Sequence, residues 1–181
     1  MKLKFLYCIL SLIFIIIGCN KKEPYSTIEI KKIAQNKPNK ANTERIKFIS
    51  KYNFEQFSSN TIQNKNSKIK LNTNQNDFSK RYKTMIYQTF EKEPINFAGK
   101  YVLNYWGCGS PCQVGVAINA ENGRLIEIPS ANVGYKFQKN SRLLIINPPD
   151  SLDYYIQDCS YCKPELYLLD TLKYKFVKLE E

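Results

Sequence analysis

No histidine occurs in the 181-residue sequence. That absence removes the Ser-His-Asp triad, the Cys-His pair, histidine-ligated catalytic zinc and the imidazole that titrates near neutrality, which together serve a large share of hydrolase chemistry. Enzyme chemistry is thereby narrowed to thiols and carboxylates. Acidic residues are also few: Lys+Arg 27 against Asp+Glu 16 gives a formal charge of +11. Clustered cations would suit a phosphate backbone, which releases counterions on binding. Here the basic residues are spread from Lys21 to Lys178, with neither a helix-face cluster nor a recognition motif. The charge is read as a solvated or lipid-facing surface, with no nucleic-acid partner. The length fits one ordinary domain.

A bilayer-spanning run is also missing. Lys2 and Lys4 precede an apolar stretch from Phe5 to Ile17, about thirteen residues where a span needs roughly twenty. A charged start, a short apolar run and the small residue Gly18 make residues 1–18 a secretory signal peptide. Its end, Ile16-Ile17-Gly18-Cys19, resembles the bacterial lipobox. The resemblance implies a thioether-linked diacylglyceryl group on the Cys19 sulfur, cleavage after Gly18, and acylation of the new amine. A thiol at position 19 is nucleophilic enough for that alkylation, and several fatty chains hold far better than the marginal grip of one. Cys19 is the expected lipidation site, the membrane is the expected partner through it, and the bacterial cell envelope, the outer membrane foremost, is the expected location. Loss of Lys2 and Lys4 takes the charge from +11 to +9.

Residues 19–44 carry Pro24 and Pro38 among Lys and Asn and have too few apolar residues to bury a face. They read as a flexible tether, with a short strand at Ile28 and Ile30. Residues 45–181 read as a single disulfide-stapled globular domain. Its clearest helix runs from Asp77, the expected N-cap, to about Glu91, with Phe78, Tyr82, Met85, Ile86 and Phe90 forming one apolar stripe and Pro94 ending it. An alternating patch at Ile69 and Leu71 suggests a strand. Beyond Asn96 strands dominate: 101–106, 114–118, 125–128, 142–146, 153–157, 166–169 and 173–178. Asn122-Gly123 offers the pair that a type I′ hairpin requires. Close turns and no interleaved helices predict an α+β fold, a mostly antiparallel meander with one amphipathic helix packed on a face.

The domain's cysteines fall as Cys108 and Cys112, and as Cys159 and Cys162. In an exported chain an even number favours disulfides, and four cysteines allow three connectivities. Gly107, Gly109 and Pro111 make a local 108–112 bridge feasible, whereas crossed pairings would close loops of roughly fifty residues. Two sharper readings compete. Cys159-Ser-Tyr-Cys162 could be a thiol-disulfide oxidoreductase site, but Pro164 and a strand follow where a thiolate-stabilising helix would be needed. Four thiolates could bind zinc, but an oxidising compartment works against them. No metal or cofactor is expected.

The stretch Asn96-Phe-Ala-Gly-Lys-Tyr101, continuing to Trp106-Gly-Cys-Gly-Ser-Pro-Cys112, with the turn 120–124 and Ser141–Leu144 after it, resembles a family of small uncharacterised bacterial secreted and lipoproteins. The family pattern is Phe-Ala-Gly-x-Tyr, then Trp-Gly-Cys-Gly-x-x-Cys. The resemblance covers about fifty residues and implies a shared domain, with no activity attached. Within it Tyr105, Trp106, Gly107 and Gly109 form the candidate binding loop, since such rings stack on glycan or peptide, although β-rich cores draw on the same residues. Asp150, Asp153 and Asp158, beside Pro148-Pro149, are the carboxylates that a glycan hydrolase would need as a spaced pair; a solvated turn is the plainer account. The expected function is a lipid-anchored envelope protein with a non-enzymatic binding or structural domain, an envelope enzyme of thiol or carboxylate type being the alternative.

Overall fold

The structure is a computed structural model, and it describes residues 44–181. The leader, Cys19, the tether up to residue 43 and the strand expected at Ile28 and Ile30 lie outside the described residues. Among the described residues nine strands follow one another: β1 Arg45–Lys47, β2 Tyr101–Gly109, β3 Cys112–Asn119, β4 Leu125–Glu127, β5 Tyr135–Phe137, β6 Leu143–Ile146, β7 Tyr154–Ile156, β8 Glu165–Asp170 and β9 Lys175–Lys178. Two helices, α1 Asp77–Arg81 and α2 Lys83–Lys92, precede β2. Every strand pair is antiparallel. The sheets run β2-β3-β4, β5-β6-β8-β9 and the small pair β1-β7. The fold is therefore mostly antiparallel β with few helices.

Strand alternation distributes the apolar residues between faces. On the β2-β3-β4 sheet, Leu103, Ala117 and Ile126 join the central cluster, while Val102, Val116, Ile118 and Leu125 join a second cluster with Ile86. On the four-stranded sheet, Leu144, Ile146 and Leu169 face the central cluster, and Leu143, Ile145 and Leu166 face a third with Phe48, Tyr52, Phe54 and Phe57. The two larger sheets thus share one core between them, and each has its outer face covered. β6 reads Leu-Leu-Ile-Ile because both its faces are buried.

Four local expectations are corrected. The single helix from Asp77 is two, broken at Tyr82 (φ −102°, ψ 22°), whose ring lies 5.0 Å from Phe78 and 5.4 Å from Trp106. The N-cap is Asn76 and not Asp77: the Asn76 side chain accepts from the Ser79 N–H at 2.8 Å, and the Ser79 hydroxyl accepts from the Asn76 N–H at 3.2 Å. This reciprocal box satisfies two otherwise orphaned groups. The β3–β4 turn is not type I′, because only Gly123 (φ 73°) has positive φ while Asn122 does not. Instead the Gly123 N–H reaches the Asn119 carbonyl at 2.8 Å, and the side chains of Asn119 and Asn122 accept from Glu121 and Arg124. Ile69 and Leu71 form no strand; they lie in a loop under which Gly123 passes so closely that a Cβ there would meet Ile69 at 2.2 Å.

Candidate functional site

The segment from Asn96 into β2 proves to be scaffold. Ala98 (φ 46°) and Gly99 (φ 74°) turn the chain back on itself, so that Phe97 and Tyr101 exchange backbone hydrogen bonds and their rings meet edge-on at 6.4 Å. Gly99 is doubly required: its φ suits glycine, and a Cβ would strike the Asn60 carbonyl at 1.9 Å. Phe97, Ala98 and Tyr101 are buried. Asn96 then uses its side-chain amide as a surrogate strand, accepting from the Leu103 N–H at 2.7 Å and donating to the Leu103 carbonyl at 2.9 Å.

The candidate binding loop divides across the sheet. Trp106 packs beneath the helices, 6.3 Å from Phe78 and 5.4 Å from Tyr82, and its ring is core rather than platform. Tyr105 points to the other face and contacts Tyr135 at 4.7 Å while staying partly exposed. Gly107 and Gly109 lie on an exposed hairpin end with open space around them. The loop thus gathers no concave set of side chains around Tyr105, Trp106, Gly107 and Gly109.

Of the three possible cysteine connectivities, the local one is present: Cys108–Cys112 and Cys159–Cys162, each with Cα atoms 5.2 Å apart. The crossed pairings are absent. The Cys159–Cys162 bridge sits in a turn between β7 and β8, and no helix starts there.

Asp150 and Asp153 belong to one turn. The Asp150 carboxylate accepts from the N–H groups of Leu152 (2.9 Å) and Tyr154 (3.1 Å) and pairs with Arg45. The backbone donors, Tyr154 first and then Leu152, together with Arg45, hold its carboxyl below the ordinary carboxylate value. It therefore stays ionised at neutral pH and offers no proton to a leaving group. Asp153 (φ 65°) and Asp158 are exposed turn residues. Asp150 and Asp153 form a capped turn and Asp158 lies beyond β7, so the three make no spaced pair of free carboxyls.

The same turn bounds a cleft of about 340 Å³ lined by Arg45, Val133, Pro148, Tyr154, Tyr155 and Ile156, with Cys162 at its edge. Its walls come from β1, β7 and the loops on either side of β5 and β6. Buried Asn147 (φ 48°) fastens these together: its side-chain oxygen accepts from the N–H groups of Asn132 (2.8 Å) and Val133 (3.0 Å), and its amide donates to the Lys163 carbonyl at 3.4 Å. The lining is apolar where Val133, Ile156 and the tyrosine rings meet. Its charged groups are already mated: Arg45 bonds Asp150 and lies 5.0 Å from the Tyr154 ring centroid. Val133 and Ile156, which line it, stay exposed. The arrangement can hold an apolar or aromatic group and offers no poised acid, base or nucleophile among the described residues.

Sequence reasoning missed Arg45, Val133 and Asn147. Asn147 directly before Pro148-Pro149 carried the one usable signal, since asparagine is enriched at positive φ. No family model, no curated protein and no solved structure matches the chain.

Proposed function

We propose that this chain is a cell-envelope lipoprotein, anchored through acylated Cys19 after loss of residues 1–18 and placed on the outer membrane, whose domain is a non-enzymatic binding module. It would belong with the small secreted and lipoproteins that its 96–113 segment resembles. Within that domain α1 and α2 act together as the single amphipathic cover of the β2-β3-β4 sheet, and the tether sets the domain off the lipid. The observation that carries the binding assignment is the Asn147-fastened cleft. Its volume, about 340 Å³, falls in the range of small-ligand sites, which are concave, mostly apolar and largely pre-formed. Consistent with binding rather than catalysis, the cysteines nearest it are joined to each other and Asp150 is engaged by backbone amides and Arg45.

The test has two arms on the full chain. Metabolic palmitate labelling should vanish in Cys19→Ser; label that persists overturns the anchor. Titration with indole, followed by the methyl resonances of Val133 and Ile156, should give saturable shifts that Ile156→Asp abolishes. Methyl signals indifferent to indole would overturn the binding assignment.

A further inference from the structure

A second cleft, about 430 Å³, lies where the β3–β4 turn meets the loop before α1, and Lys70, Asn72, Asn76, Asn122, Arg124 and Tyr174 line it together with Gln75, Gly123 and Leu125. Its chemistry is weighted toward donors. Three asparagine side chains face it, and each has its oxygen committed to a local backbone N–H: Asn72 to Asn74 (3.2 Å), Asn76 to Ser79 (2.8 Å) and Asn122 to Arg124 (3.0 Å). A side-chain amide whose acceptor is engaged keeps its NH₂, so the three asparagines offer donors; Gln75 is the exception, donating its Nε2 to the Leu125 carbonyl at 3.2 Å and keeping its oxygen. Lys70 and Arg124 add two cations, and among the described residues neither pairs with a carboxylate. The guanidinium of Arg124 is steadied 3.8 Å from the Tyr174 ring centroid.

The carboxylates nearby do not neutralise these groups. Glu121 bonds Lys100 at 2.8 Å, Asp77 faces Lys80 at 3.8 Å, and Glu127 lies in the adjoining groove along β4 and β9. No Asp or Glu lines the cleft itself. Three amide donors and two cations without a carboxylate partner, lining one cleft that holds no acidic residue, suit an oxyanion, which accepts charge-assisted hydrogen bonds from such groups.

We propose that this cleft is a binding site for a phosphate-type oxyanion, carried either on a soluble ligand or on a lipid headgroup. It is separate from the Asn147 cleft and does not depend on the reading given to that one.

The test is calorimetric titration of the full chain in neutral detergent with inorganic phosphate, at an ionic strength held constant with chloride so that general screening is matched. Saturable binding is expected, and Lys70→Gln/Arg124→Gln should weaken it about tenfold or more, since two charge-assisted hydrogen bonds to the anion are lost together. The charge-matched pair Lys51→Gln/Lys136→Gln, on other parts of the domain, should leave the affinity within about twofold. Lys70→Gln alone removes no contact with Tyr174 and should still weaken binding by about threefold, which guards against a folding defect in the double variant. Dihexanoyl phosphatidylglycerol below its micelle concentration, compared with the phosphatidylcholine analogue, separates the two sources. Competition by the former alone assigns a lipid headgroup, and no competition assigns a soluble phosphate ligand. Absence of saturable phosphate binding, or equal affinity in the two double variants, overturns the proposal.

Discussion

The buried side-chain oxygen of Asn147 accepts the backbone N–H of Val133 at 3.0 Å. With the matching bond from Asn132, it fixes the loop that forms one wall of the apolar cleft to the strand end that forms another. Asn147→Ala leaves two backbone donors without their acceptor and places a methyl-bearing residue at φ 48°. A loss of about 2–4 kcal/mol in unfolding free energy is expected, combining the unsatisfied-donor cost with the strained backbone. Asn147→Asp keeps the acceptor and should recover part of that loss. Denaturant titration of the three proteins checks the order; equal stability of the alanine and wild-type forms would remove Asn147 from this role.

Trp106 is the chain's single tryptophan, so its fluorescence reports one place, the contact between the helices and β2. Its ring is packed by Phe78 and Tyr82, and no acceptor among the described residues reaches its buried indole N–H. Emission should be blue-shifted and poorly quenched by iodide, and Tyr82→Ala should shift it to the red. Trp106→Phe removes the unmatched donor along with part of the ring, so it should cost much less than the roughly 3–5 kcal/mol of a buried aromatic cut to alanine. Emission already at the wavelength of exposed indole would contradict the packing.

The two disulfides close loops of four and three residues in sequence separation. The chain-entropy estimate gives such loops about 2 kcal/mol each, against about 4 kcal/mol for a bridge across fifty residues. Replacing Cys108 and Cys112 by serine should therefore lower stability by no more than about 2 kcal/mol and leave Cys159–Cys162 intact. A loss near twice that, or a thiol freed at Cys159, would show that the two pairs are linked.

Alkaline pH should unfold the domain through its tyrosines. Burial, then the hydrogen bond to Glu165 at 2.9 Å, pushes the Tyr167 phenol from the ordinary 10.0 up to about 12. Burial raises Tyr101 and Tyr135 as well. These phenols stay neutral in the folded state while the unfolded chain ionises, so the stability they contribute is full below pH 10 and is lost as pH rises toward 12. Tyrosinate absorbance should show a fraction of tyrosines that titrates only together with unfolding, and Tyr167→Phe should flatten the dependence. A single titration centred at the ordinary value would refute the burial of these groups.

The strands were legible because they are written in β-rich runs: 101–106, 114–118, 125–128, 142–146 and 166–169 all lie in or overlap observed strands. β5 was not, because Tyr135-Lys-Phe137 is too short to show a period, and its place is set by pairing with β6. The helix stripe was readable at Phe78, Tyr82, Ile86 and Phe90, which share the Ile86 cluster. The break at Tyr82 left no local sign, since no glycine or proline marks it. The candidate site was the least legible part. Trp106 and Tyr105 drew notice as aromatics beside glycines, yet strand alternation sends them to opposite faces. The cleft that does form depends on long-range placement, bringing Arg45 beside Asp150 across 105 residues. No spacing in the sequence encodes such a meeting. The cysteine spacing allowed the local bridges but could not choose them, because the choice depends on where β2, β3 and β7 come to lie.

Intact-mass measurement of the protein extracted from membranes tests the central claim most directly, because a single spectrum reports both the anchor and the state of the domain cysteines. The expected mass is that of the chain beginning at Cys19, increased by a diacylglyceryl group and an amide-linked acyl chain, and reduced by four hydrogens for Cys108–Cys112 and Cys159–Cys162. It should be unchanged by alkylation without reductant. A species retaining residues 1–18 without added lipid, or one that takes up alkylating reagent at the domain cysteines before reduction, would contradict an acyl-anchored, disulfide-closed binding domain.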